Sequence, residues 1–115
     1  MNVILHIAHS TAWQRAQALG VYRGDTLETE GFIHCSLPAQ VIPVANARFK
    51  GCTNLALLCI DEEKVAAEVR YEDCYESGIA FPHIYGPLNL DAVRAVVAFP
   101  PNAGGTFTLP KIEVA

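Results

Sequence analysis

Apolar residues fall in short runs along this chain, and their period changes from one run to the next. Val3-Ile4-Leu5-His6-Ile7 is β-branched and aliphatic, which predicts a first strand over residues 2–7. The period then lengthens. Ala12, Trp13, Ala16 and Leu19 recur at helical spacing while Gln14, Arg15 and Gln17 face away. This predicts a helix opened by a Thr11/Gln14 capping box and stopped at Gly20. Residues 21–30 are polar and read as a loop, and residues 31–35 as a second strand. Ser36 and Pro38 mark the entry to a second helix over 39–49, which must accommodate Pro43.

Strands dominate the second half of the chain. Residues 55–60 are apolar at every position, as expected of a central strand buried on both faces. Asp61-Glu62-Glu63-Lys64 is a turn, and further strands are expected at 68–72, 82–85 and 92–99. The segment 73–80 reads as a loop. Pro100-Pro101-Asn102-Ala103-Gly104-Gly105 breaks the pattern before a tail at 106–114 with strand-like residues. Two early helices and several later strands give a single α+β domain with a mixed, mostly antiparallel sheet arrangement.

Composition narrows the possibilities. A chain of 115 residues, 51% hydrophobic and 17% charged, can fold around its own core. The longest apolar stretch is far too short to span a bilayer, no secretory leader is evident, and a cytoplasmic protein is expected. The formal net charge is −4, and the eight basic residues are scattered. That argues against an extended nucleic-acid surface and against a basic membrane-binding helix. A small-molecule or nucleotide ligand needs only one or two cations. Cys35, Cys52, Cys59 and Cys74 form no C-x-x-C pair or zinc spacing, so reduced thiols are expected.

The candidate chemistry lies in three histidines set in strands: His6, His34 and His83. Alternation puts Phe32, His34 and Ser36 on one face of the second strand, and Phe81, His83 and Tyr85 on one face of a later one. A histidine in a strand either lines a pocket or is hydrogen-bonded in the core, and imidazole can donate, accept or stack. A cleft walled by all three histidines, with Phe32, Ser36 and Tyr85 around them, is the functional expectation. Cys35 faces away from His34, so the two are not a nucleophile and its base. There is no G-x-S-x-G elbow, P-loop or G-x-G-x-x-G.

The segments Leu5-His6-Ile7, Thr29-Glu30-Gly31-Phe32-Ile33-His34-Cys35-Ser36 and Phe81-Pro82-His83-Ile84-Tyr85-Gly86-Pro87-Leu88 resemble the small bacterial DUF952 family, a domain of unknown function. The resemblance runs over about residues 3–99, which marks 1–99 as the domain and 100–115 as an extension packed on it or trailing from it. In motif order that family is remotely similar to the ADP-ribosyltransferase superfamily. The resemblance implies a fold of that kind and NAD as a possible substrate, with no metal. It also implies catalytic roles for His34 and His83, and ligand contacts from His6, Phe32, Ser36 and Tyr85. His83 stands roughly where many transferases carry a glutamate. The function so implied is binding NAD or an ADP-ribosylated small molecule and transferring or hydrolysing ADP-ribose. The alternatives are a non-catalytic nucleotide-binding module and a metal-dependent hydrolase using the three histidines.

Overall fold

The structure, a computed structural model, describes residues 2–73 and 76–112. Cys74 and the end of the expected tail lie outside the described residues. At the centre runs β4 (Leu55–Asp61), buried at all seven positions. It pairs antiparallel with β1 (Val3–His9) on one side and β8 (Val93–Ala98) on the other. Leu55, Leu57 and Cys59 pack with Leu5, Val41, Phe99 and Phe107 on one side of this sheet. Leu58 and Ile60 join Ile4, Ile33, Ile84 and Leu88 on the other. A strand with a core on each face needs apolar side chains throughout, which is why its sequence shows no alternation.

A second sheet has the order β3 (Ile33–His34), β6 (Phe81–Tyr85), β5 (Glu68–Glu72). A small third pairing joins β2 (Val21–Tyr22) to β7 (Leu88–Asn89). Every strand pairing among the described residues is antiparallel, so the parallel component of a mixed sheet is not found there. An isolated bridge joins β1 to the chain just after β3. Leu5 and Ser36 exchange backbone hydrogen bonds, Leu5 N–H to Ser36 O at 2.7 Å and Ser36 N–H to Leu5 O at 2.8 Å.

There are three α-helices among the described residues, where the sequence suggested two: α1 (Ser10–Leu19), α2 (Leu27–Glu30) and α3 (Val41–Arg48). β1 runs to His9 and turns directly into α1, so Thr11 lies inside the first turn and no side chain caps the helix. Gly20 does end it, at φ 83°, with its N–H on Ala16 O at 2.8 Å. α2 is a single turn within the expected loop, closed by Gly31 at φ 88°. Glycine adopts this left-handed conformation without a Cβ clash, and it folds the chain back into β3.

Pro43 occupies the first turn of α3, where its missing N–H has no intrahelical acceptor to lose. Gln40, rather than Ser36, precedes that helix, and its Oε1 accepts from Leu37 N–H at 2.9 Å. The expected strand over 31–35 shrinks to Ile33–His34. No strand forms over 106–112. Instead Phe107 is buried against Phe99, ring centroids 4.8 Å apart, and its N–H donates to Asn46 Oδ1 at 2.8 Å.

Candidate functional site

β1, α3 and the stretch from Tyr22 to Ser36 surround a cavity of about 390 Å³. On the β1 wall stands His6, buried and bonded at both ring nitrogens. Nδ1 lies 2.5 Å from His34 O, and Nε2 lies 2.8 Å from the Tyr22 hydroxyl. A carbonyl only accepts, so Nδ1 carries the proton and Nε2 accepts from the Tyr22 O–H. Burial holds His6 below the ordinary imidazole value of 6.5, against the raising pull of the His34 carbonyl. Burial, and then the charge of Asp25, push the Tyr22 hydroxyl above its ordinary range, so it remains a donor. The result is a neutral imidazole with one defined tautomer.

His34, whose carbonyl meets the His6 ring, also lines the cavity. Its Nε2 lies 3.0 Å from Glu30 Oε1. The pair spans four residues across the left-handed turn at Gly31, which brings the end of α2 over the start of β3. Ser36 also lines the cavity, and its backbone supplies the joint between the sheets. Cys35 is buried, and burial with a contribution from Glu62 raises its thiol far above the ordinary value. It stays protonated and is a packing group, as its place opposite His34 suggested. At the rim, the His9 ring meets Phe49 edge-on at 6.4 Å, with Arg48 beside them.

His83 lies elsewhere. It is fully buried and directly opposite His34 in the β3–β6 register, the two rings 5.3 Å apart and edge-on. Phe32 stacks on it at 4.2 Å and also contacts Tyr85 at 5.3 Å. His83 Nδ1 pairs with Glu72 Oε1 at 3.0 Å, and the Tyr85 hydroxyl donates to the same oxygen. Those two bonds, Tyr85 first, hold the Glu72 carboxyl below its ordinary range, while the same contact raises Tyr85. Arg70, clamped by Glu68 at 2.9 and 3.0 Å, covers the Tyr85 ring at 4.5 Å.

The six candidate residues therefore divide. His6, His34 and Ser36 line the cavity, whereas His83, Phe32 and Tyr85 pack behind His34 and do not. The three histidines form a chain through His34 instead of three walls of one cleft. Among the described residues no group of three His, Cys, Asp or Glu side chains is placed to hold a metal ion. No helix among them is long and apolar enough to cross a membrane.

Tyr22, Asp25, Glu30 and Glu72 were not singled out from the sequence. Glu30 had a usable signal, since it stands four residues before His34 and next to Gly31. Tyr22 had none, because a two-residue strand carries no period. Glu72 reaches His83 as a diagonal neighbour across β5 and β6, which needs the register.

The family model described as "Protein of unknown function (DUF952)" matches residues 7–96. Among solved structures, the crystal structure of protein CC0527 from Caulobacter crescentus is 30% identical, with a TM-score of 0.84, covering 93% of this chain and 94% of that one. The solution NMR structure of CC0527 is similar at 31% identity and a TM-score of 0.82, over 95% of this chain and 94% of that one. No curated protein matches. With the family pattern spanning most of the chain and a relative alike over almost its whole length, this chain belongs to the DUF952 family.

Proposed function

We propose that the cavity binds the nucleoside end of NAD or of an ADP-ribosylated small molecule, and that the domain transfers or hydrolyses ADP-ribose there. The observation carrying this reading is the His6–Tyr22 pair beside His34 and Ser36 at a cavity of about 390 Å³. That volume is typical of small-molecule pockets, roughly 300–1,000 Å³, and suits a nucleoside better than a whole dinucleotide. The substrate class rests on the resemblance in motif order to ADP-ribosyltransferases.

In such a reaction the bond from ribose C1′ to the nicotinamide nitrogen breaks, and its electron pair leaves with nicotinamide. An oxygen of the acceptor or of water forms the new bond and gives its proton to the His34–Glu30 pair. Glu30 and Asp25, both at the cavity, supply negative charge for the oxocarbenium-like state. His6, with both nitrogens engaged, positions the Tyr22 hydroxyl and the β3 backbone. His83, Phe32 and Tyr85 hold His34 from behind.

A second reading, a non-catalytic nucleotide-binding module, is favoured by the burial of His83 away from the cavity, since that strand brings no carboxylate to it. Calorimetric titration with NAD and ADP-ribose, together with a nicotinamide-release assay, separates the two. Binding with release that is lost in His34→Ala supports transfer or hydrolysis. Binding without release supports the module, and no binding of either ligand defeats both.

A further inference from the structure

A second concavity, of about 340 Å³, adjoins the first on the outer side of Tyr22. Ala12, Tyr22 and Asp25 belong to both linings, so they form a shared wall. The new groove lies between α1 and the turn after β2, and it carries two arginines, Arg15 from α1 and Arg23 from the turn. Two of the chain's eight basic residues therefore line this one groove. Arg15 makes no hydrogen bond or ion pair among the described residues. Arg23 has one loose contact, to Glu28 at 3.5 Å, with both side chains largely in water. Exposed pairs of this kind contribute little and yield readily to a better acceptor. Opposing charge comes from Asp25 on the shared wall and from Glu28.

We infer that the Arg15–Arg23 groove is a subsite for a phosphate or diphosphate group, continuous across Tyr22 with the cavity that takes the nucleoside. This rests on the reading of the first cavity as a nucleoside pocket, and it supplies the length that pocket lacks. Guanidinium recognises phosphate oxygens through paired N–H donors, so two arginines suit a diphosphate better than a carboxylate. The ligand is thus elongated, with a hydrogen-bonding nucleoside end at His34 and Ser36 and a doubly anionic centre at the arginines.

The test is amide chemical-shift mapping of the full chain during titration with inorganic pyrophosphate, nicotinamide riboside and NAD. It uses the wild type, Arg15→Gln/Arg23→Gln, the same pair changed to Lys, and Arg94→Gln on β8 as a control that removes a cation outside the groove. Pyrophosphate is expected to shift amides around residues 15–25 in the wild type and the control, and not in the Gln pair. NAD affinity is expected to fall roughly tenfold or more in the Gln pair, with partial recovery in the Lys pair and no change for nicotinamide riboside. Absence of a pyrophosphate response at millimolar concentration, or a Gln pair that binds NAD like the wild type, overturns the subsite. If pyrophosphate shifts residues 15–25 while neither NAD nor nicotinamide riboside shifts the cavity, the subsite stands and the nucleoside reading falls.

Discussion

The β1-β4-β8 sheet and the β3-β6-β5 sheet obey the same alternation and use it differently. In the first, β4 turns apolar side chains to both faces, and each face packs into a hydrophobic core. In the second, Ile33, Val69 and Ile84 face the core, while the opposite face carries Phe32, His34, His83, Tyr85, Arg70 and Glu72 in one contact network. The first sheet is built for burial. The second keeps one face apolar for stability and frees the other for ionisable groups, each supplied with a partner. His6 is the exception that connects them: it sits on the stability sheet and bonds to the backbone of the other.

The contrast is broken most severely at its apolar side. Leu57→Ala removes a fully buried side chain from β4 and should cost about 2–5 kcal/mol in urea unfolding. Ligand-induced shifts around His34 should persist in whatever fraction stays folded. Tyr22→Phe keeps the ring and removes the donor to His6 Nε2, leaving a buried acceptor unpaired at a cost of about 1–3 kcal/mol.

The same variant has a pH signature. Because burial lowers the His6 pKa, the stability its neutral form contributes is complete above 6.5 and fades as pH falls below that value. The wild-type unfolding midpoint should therefore drop between neutral pH and about pH 5. Losing the Tyr22 O–H removes support for the neutral form, raises the folded-state pKa and shrinks that drop. An unchanged pH profile in Tyr22→Phe would show that the Tyr22 hydroxyl does not support the neutral form of His6. His83→Leu is expected to give the smallest change in the urea midpoint, below that of Tyr22→Phe, since Glu72 keeps the Tyr85 hydroxyl and is open to water for the bond it loses. The ¹H shift at His34 should nonetheless move, because the edge-on ring current is gone.

Long elements were legible and short ones were not. The run 55–60 declared a central strand because a doubly buried strand leaves no polar position. Gly20 declared a helix end because its conformation excludes most other residues. β2 and β7 are two residues each, shorter than any period can register, and of the expected strand over 31–35 only Ile33–His34 forms. In the site, alternation did place Phe32 and His34 against His83 and Tyr85, and the structure brings those rings together. Alternation fixes a side, however, and not whether that side is open. Phe32 covers His83 on a face that parity alone would leave to solvent, and this separates it from His6 and Ser36.

The two hydrogen bonds between Leu5 and Ser36 are a seam between rigid plates. Both residues also border the cavity, so the seam runs along the edge of the space a ligand would fill. Prying that space wider would load these two backbone amides directly, and with them the packing of Leu58 and Ile60 on Ile33 and Ile84, while Leu57 and Cys59 face the other core. Deuterium uptake at those two amides, compared with that at Leu57 and Cys59, is thus a built-in gauge of how far the plates part.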